Sequence, residues 1–501
     1  MAQRLLMGEL YAQAEVRPNH TAVVYADERL TYAELVERVE RLAAGLSECG
    51  VGAGAAVGLV LRDDPWFVAC FHAVTALGAT VVAVNPAFKQ SEIEFCFRSA
   101  DVSAVIADER SAGVCERIAA GFDRPVQVVT TSSAHGQALT LDALLEGSEP
   151  RPLAPRDPDD VLVCQFSSGS TGRPKRVLRT HAQCAAEAEL YGELGLTYED
   201  RIFAAIPFFH TYGMGACLFA PARSGATLVI LEEPNPFLLK RHRALELLER
   251  ERVTVFPGVP FNFRLLADAP ADADLSALRL CISSGTALPR ATFEAFGERF
   301  GVLVRQQYGT TETGLTSVNT SDDLVATFES VGAPLGDVSI EIWDEQGASL
   351  PAGEVGEVAI SSPAMTDGYV DLPDISREAF RDGHFATGDL GSLDEHGRLY
   401  IKGRKKLLIE LGGYKVDPIE VEDVVAAHEK VEEVVVVGVA GKRAGEELVK
   451  AVVVPREECE ERELIEFCRD RLANYKVPRQ IEFRDEIPKS PLGKVLRKYL
   501  V

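Results

Sequence analysis

A chain of 501 residues exceeds what one small core can fill, and its length predicts roughly two to four structural units. With 46% hydrophobic and 26% charged residues the composition is that of a globular protein, not a disordered or fibrous one. The formal net charge of −24 excludes a nucleic-acid binder working through a basic face, although a local group of cations could still hold one small phosphorylated molecule.

The dominant texture in chain order is a β-branched run followed by a helical pattern. The N-terminal stretch MAQRLLMGELYAQAEVRPNH reads as an amphipathic helix with acidic residues, not as a secretion signal. LTYAELVERVERLAAGLSECG is a helix ending in glycine. AAVGLVL (strand), PWFVACFHAVTALG (helix), ATVVAV (strand), KQSEIEFCFRSA (helix) and VSAVIAD (strand) alternate, which implies a parallel sheet with crossover helices on its faces. The alternation returns between Arg201 and Arg305. From Ser330 to Lys402 short strands separated by Gly/Asp turns predict a distorted, barrel-like section. After GRKKLLIELGG a compact tail follows: helix, two strands, helix, strand. The fold class is therefore α/β, with a large N-terminal domain (1–403) of doubly wound βαβ subdomains plus the barrel-like section, and a small C-terminal α+β domain (404–501).

Ten cysteines stand singly, with no CxxC pair, which points to buried thiols in a reducing compartment rather than disulfides or zinc. The richest apolar stretch, AVTALGATVVAVNPAF, is too short and too interrupted to span a bilayer. The expectation is a cytoplasmic protein without stable membrane insertion.

The stretch CQFSSGSTGRPKRVLRTH carries the first chemical signal. A strand from Val161 to Phe166 runs into Ser167, Ser168, Gly169, Ser170, Thr171 and Gly172, offering backbone N–H groups and hydroxyls with little bulk. Such a loop cradles phosphate oxygens, and Lys175 adds a mobile positive charge. Its spacing is not that of a P-loop NTPase, because no Ser/Thr follows the lysine.

Further strings follow at fixed order: PFFHTYGMG, SSGTALP, QQYGTTETG, SVGAPLG, FATGDLG, YIKGRKK, GGYKVDPIEVE and PKSPLGKVLRKYL. With SSGSTGRPK, the set resembles the adenylate-forming superfamily of acyl-CoA synthetases, peptide-synthetase adenylation domains and luciferases, and is closest to acyl- or aryl-CoA ligases. The resemblance covers essentially the whole chain. It implies an enzyme in which a carboxylate attacks the α-phosphate of ATP, with Mg²⁺ as cofactor, to give an acyl-adenylate and pyrophosphate.

The resemblance assigns roles residue by residue. Thr311 would touch the α-phosphate and Glu312 would hold Mg²⁺, a hard ion suited to carboxylate and phosphate oxygens. Tyr308 and the strip Gly285, Thr286 and Ala287 would sandwich adenine, with Gln307, Gly309 and Thr310 beside them. Asp389 would accept both ribose hydroxyls, and Arg404 would make a second ribose or phosphate contact. Lys494, on a mobile lid-like tail domain, would stabilise the charge that develops at phosphorus. Lys406 takes the hinge position about which that domain turns, and Gly412 and Gly413 would line the entry for a pantetheine arm. His210 would gate the path of the acid, with Phe209, Tyr212, Phe256, Val259, Phe261, Ser283 and Ser284 around the acyl pocket.

Those walls imply a hydrophobic monocarboxylic acid, aryl, alicyclic or fatty. Thr211 and Tyr212 stand where an amino-acid-activating relative carries its aspartate. Arg176 after Lys175 in the phosphate loop, Leu407 after the hinge, and Glu410 in the segment that would face the thiol substrate depart from the family pattern. Two acceptors follow: CoA, making the chain an acyl-CoA synthetase, or a carrier-protein phosphopantetheine or separate enzyme that receives the acyl group. Monomer and homodimer both remain open.

Overall fold

The computed structural model describes residues 5–131, 139–150, 156–167, 175–232, 237–405, 409–411, 414–416, 418–440, 447–472, 474–489 and 495–501. The chain divides into two compact units. The first comprises Met1–Glu341, Ala359–Thr387 and Leu393–Tyr400, and the second Ile342–Val358, Gly388–Ser392 and Ile401–Val501.

Two large sheets organise the first unit. One has seven strands in the order Leu139–Thr140, Gln127–Thr130, Ala104–Ala107, Ala56–Val60, Thr80–Ala83, Val161–Ser167 and Lys175–Thr180. Its pairings are parallel except for the last, an antiparallel hairpin. Val57, Leu59, Val81, Val82, Val105 and Ile106 are all fully buried, so these strands read as unbroken apolar runs because helices cover both faces. Helix Pro65–Ala76 begins where Asp64 accepts the Phe67 N–H and Pro65 presets the first turn. Helix Tyr32–Glu48 starts at a reciprocal Thr31–Glu34 cap.

The second sheet has nine strands in the order Ala333–Pro334, Gly314–Val318, Val304–Thr310, Leu280–Ser283, Val255–Gly258, Arg201–Ala204, Thr227–Ile230, Thr21–Tyr25 and Glu28–Thr31. The strand Thr21–Tyr25 lies parallel to Thr227–Ile230, which the local pattern did not disclose. Chain order reverses around Arg201–Ala204, and ligands of open α/β sheets bind outside the carboxyl ends of strands at such a reversal.

Residues 339–404 contribute a five-stranded sheet, Ser339–Trp343, Gly356–Ser361, His384–Leu393 and Phe380–Arg381, with Leu399–Arg404 also on His384–Leu393. In the second unit, strands Val431–Ala440, Glu447–Pro455 and Gln480–Phe483 form a sheet with helices Pro418–Ala426 and Glu461–Arg469. Val434, Val436, Val449, Ala451 and Val453 pack with Val421, Val425, Leu464 and Cys468 of the helices. Val435, Val437, Val452 and Val454 pack on the other face with Ile487 and Leu500, so both faces of this small sheet are covered. The α/β class, the barrel-like sheet and the small C-terminal α+β unit expected from the sequence are those observed. All ten cysteines are free, and burial pushes the thiols of Cys96, Cys115 and Cys164 up to about 12, where they are inert. No helix among the described residues is long and apolar enough to cross a membrane.

Candidate active site

Ser167 and Lys175 are register partners that close the hairpin expected to cradle phosphate (the phosphate hairpin). The tip, including Ser168, Gly169, Ser170, Thr171 and Gly172, lies outside the described residues. Nζ of Lys175 stands 4.2 Å from the centre of the Tyr369 ring, a cation over an aromatic face. The Tyr369 hydroxyl donates to Oε1 of Glu312 at 2.9 Å. The segment around Tyr369 is stitched to both neighbours. Val370 N–H donates to the Arg176 carbonyl (3.1 Å) and Thr366 N–H to the Glu312 carbonyl (2.8 Å). The Thr366 hydroxyl adds a bond to the Leu178 carbonyl. A cation, a ring and a carboxylate are thereby brought into one chain of contacts.

Thr311 and Glu312 occupy the tip of a hairpin between Val304–Thr310 and Gly314–Val318. The hydroxyls of Thr310 and Thr313 face each other at 3.0 Å, and each side chain accepts the other's backbone N–H. This reciprocal closure fixes the turn without a contribution from Thr311 or Glu312, which leaves both side chains for other work. Glu312 is buried yet holds oxygen ligands suited to a hard cation, and no group of three or more His, Cys, Asp or Glu forms a cage among the described residues. That donor set fits Mg²⁺, which is commonly held by one or two carboxylates together with substrate phosphates.

Tyr308 sits half-buried near the end of its strand, parallel to Leu280–Ser283, whose continuation Gly285, Thr286 and Ala287 is exposed. The two strands are tied by Ser284 Oγ to the Gln307 carbonyl (3.4 Å) and by the Leu288 N–H to Oε1 of Gln306 (2.9 Å). An aromatic side chain and an exposed turn of small residues, with Gly285 at φ +88°, thus end adjacent strands.

After Arg201–Ala204 the chain presents half-buried Phe209 and exposed His210, whose Nδ1 accepts the Tyr212 N–H and starts the short helix Thr211–Met214. A π-helical turn, Gly215–Phe219, follows; such turns recur at functional sites. The Tyr212 hydroxyl donates to the Ile282 carbonyl at 2.9 Å, and burial pushes its pKa well above the usual tyrosine range, so it remains a neutral donor. Ser283 is buried with its hydroxyl unpartnered among the described residues, and Ser284 is buried beside it. Val259 is half-buried at the start of helix Pro260–Ala267, where Asn262 caps its N–H. Two positions read as pocket wall are placed differently. Phe256 has no open surface, because its ring packs in the core 5.2 Å from Phe203 and 4.8 Å from Phe263, so it does not line an open pocket. Phe261 is an exposed helix residue beneath the Arg264 guanidinium.

Within the second unit, Asp389 pairs with Nε of Arg404. Beside it, Lys405 donates to Oε2 of Glu357 at 2.9 Å, and Oε1 of Glu357 accepts the Gly388 N–H at 3.2 Å. Glu357 thereby holds both the residue next to Asp389 and the residue next to Arg404. Glu410 and Lys415 are register partners across the hairpin Ile409–Leu411/Tyr414–Val416. Lys494, Lys406, Gly412 and Gly413 lie outside the described residues. Sequence reading missed Tyr369 and Glu357. Neither stands in a string with its own chemical pattern, and only their partners reveal them.

An acidic hairpin tip beside a cation-bearing phosphate hairpin, on the carboxyl ends of parallel strands, defines a nucleotide-handling α/β enzyme. The AMP-binding enzyme model matches residues 10–370 and the AMP-binding enzyme C-terminal domain model matches residues 420–494, so the chain belongs to the AMP-binding, adenylate-forming enzymes. It is 31% identical to the long-chain-fatty-acid–CoA ligase FadD13 of Mycobacterium tuberculosis, over 98% of this chain and 97% of the relative. Among solved structures it resembles the anthranilate CoA ligase AuaEII in complex with anthranoyl-AMP, with a TM-score of 0.90 and 28% identity over 100% of this chain and 97% of that one. It also resembles ATP-bound MatB from Rhodopseudomonas palustris, with a TM-score of 0.89 and 27% identity over 99% and 97% of the two chains.

Proposed function

We propose that this chain is an AMP-forming acid–CoA ligase acting on a hydrophobic carboxylic acid. The observation that carries this reading is the contact chain Lys175–Tyr369–Glu312, which joins the phosphate hairpin to the carboxylate of the Thr311–Glu312 tip. Two anions must meet in such a reaction. Unit charges 4 Å apart repel by about 4 kcal/mol at an effective dielectric near 20, so the site has to supply positive charge. Lys175 would lie along the β- and γ-phosphates, Thr311 would hydrogen-bond the α-phosphate, and Glu312 would hold Mg²⁺, which when bound neutralises phosphate charge. Ser167 with Ser168–Gly172 would cradle the phosphates, and Tyr308 with Gly285–Ala287 would take the adenine. Asp389 and Arg404 would serve the ribose, and Lys494 the charge that develops as the phosphorus becomes five-coordinate.

In the first half-reaction a substrate carboxylate oxygen bonds to the α-phosphorus and the bond to pyrophosphate breaks. In the second, the CoA thiolate attacks the acyl carbon and AMP leaves. His210 and Tyr212, with Phe209, Val259 and Ser283 nearby, would receive the acid. The named fatty-acid and anthranilate ligases among its relatives support an apolar or aryl acid and favour CoA over a carrier protein as acceptor. Use of ATP and CoA as substrates supports a cytoplasmic location.

The test is incubation with ATP, Mg²⁺, CoA and a panel of medium- and long-chain fatty, benzoic and cinnamic acids, with pyrophosphate exchange and product mass as readouts. Acyl-CoA with at least one member of the panel is expected. Acyl-AMP accumulating without acyl-CoA would replace the CoA step by a different acceptor, and no exchange with any acid would end the ligase reading.

A further inference from the structure

Helix His181–Gly192 follows directly on the outer strand of the phosphate hairpin and buries one carboxylate, Glu187, at 1% exposure. Nη1 of Arg179, itself fully buried on that strand, donates to Oε2 of Glu187 at 2.5 Å. The other oxygen, Oε1, accepts the Leu315 N–H at 3.2 Å, just beyond the hairpin tip that carries Thr311 and Glu312. Gly314, at φ +64°, leaves no room for a side chain: a Cβ there would lie 2.8 Å from Cδ of Glu187 and 2.9 Å from Nη1 of Arg179. From the third side comes Gly215, a few residues after His210 and Tyr212, where a Cβ would fall 2.5 Å from Oε1 of Glu187. One helical turn further along, Tyr191 lies against the Gln307 side chain, on the strand that carries Tyr308.

We propose that Glu187 and Arg179 are positioning residues that hold the phosphate hairpin, the Thr311–Glu312 tip and the His210–Tyr212 segment in mutual register for adenylation. Stability alone does not account for them. Nε and Nη2 of Arg179 have no hydrogen-bond partner among the described residues, and a buried ion pair left partly unsatisfied does no better than apolar side chains of the same volume. What the pair adds is direction. A planar guanidinium and a carboxylate with both oxygens engaged admit one arrangement of three backbones, whereas apolar packing would let them slide.

The proposal rests on the adenylation reading, and the experiment separates the two. Arg179→Met/Glu187→Leu fills the same space without charge. It is expected to melt close to wild type while the KM values for Mg·ATP and for the acid, and the calorimetric Kd for ATP, each rise about tenfold. Arg179→Lys, which keeps the charge but not the planar fork, should show a smaller rise in the same constants, and it decides the matter if the double variant does not fold. A pair that served only folding would lower the melting temperature and the active fraction and leave every KM and Kd unchanged; that result overturns the proposal. A wild-type chain that forms no acyl-adenylate overturns the adenylation reading instead.

Discussion

The Tyr369 hydroxyl donates to Oε1 of Glu312 across 2.9 Å, while the face of the same ring lies 4.2 Å from Nζ of Lys175. One side chain therefore touches a cation with its π-face and a carboxylate with its polar end. Groups that hydrogen-bond a metal-holding carboxylate set its orientation, and their removal commonly costs 10–100-fold in metal affinity. Tyr369→Phe keeps the ring under Lys175 and removes only the donor. The expected outcome is an apparent Mg²⁺ requirement for adenylation raised about tenfold, with the rate largely restored at saturating Mg²⁺. A Mg²⁺ titration of pyrophosphate exchange checks it, and an unchanged titration curve would show that Tyr369 does not orient Glu312.

Lys494→Ala is expected to lower acyl-adenylate formation by roughly 10²–10³-fold, the effect of removing one donor aimed at charge that develops in the transition state. Thioester formation from chemically prepared acyl-AMP should be nearly unaffected, because that step creates no charge at phosphorus. Equal losses in both half-reactions would contradict the assigned role.

With Asp389 serving the ribose as proposed, Asp389→Asn halves the acceptor capacity at that position and removes the negative charge facing Nε of Arg404. A charged acceptor lost from a substrate hydrogen bond costs about 1.5–3 kcal/mol, so the KM for ATP should rise by about tenfold or more. The KM for the acid should stay within about twofold. Steady-state kinetics with each substrate varied in turn distinguishes this from a general loss of structure.

Asp63 makes a prediction about stability. Its buried carboxylate accepts the Phe208 N–H at 2.8 Å, two residues ahead of His210. Burial pushes its pKa from 3.8 up to about 7, with the Phe208 N–H opposing the rise and Asp64 adding to it. Between those two values the native protein binds more protons than the unfolded chain, so this group's contribution to stability falls as pH rises from about 4 to about 7. Asp63→Asn keeps an oxygen for the Phe208 N–H and carries no charge. It should be more stable than wild type at pH 8, by up to roughly 4 kcal/mol at about 1.4 kcal/mol per pKa unit, and the difference should shrink toward pH 5. Asp64, raised to about 6 by its own burial, keeps its share of the pH dependence in both proteins. Urea unfolding at pH 5.5 and pH 8 measures the gap, and parallel pH profiles for the two proteins would contradict the assignment.

Short-range information determined a large part of this protein. Alternating β-branched runs and amphipathic segments imposed parallel sheets, because each strand needs apolar cover on both faces and the intervening helices supply it. A glycine and hydroxyl string marked the hairpin after Val161–Ser167 as a candidate phosphate cradle, and family resemblance singled out Thr311 and Glu312, because the proposed functions need particular residues at consecutive positions. Tertiary structure decided the rest. The bond between Tyr369 and Glu312 joins residues 57 apart in the chain, and Glu187 meets the Leu315 N–H 128 residues on. The family resemblance put Phe256 at the pocket wall, whereas its ring lies in the core, packed on Phe203 and Phe263. The strand Thr21–Tyr25 lies parallel to Thr227–Ile230, a partner far along the chain that its own residues do not name. Hydrogen-bond partners and buried faces of this kind depend on which surfaces meet in space, and residue spacing along the chain carries no record of that.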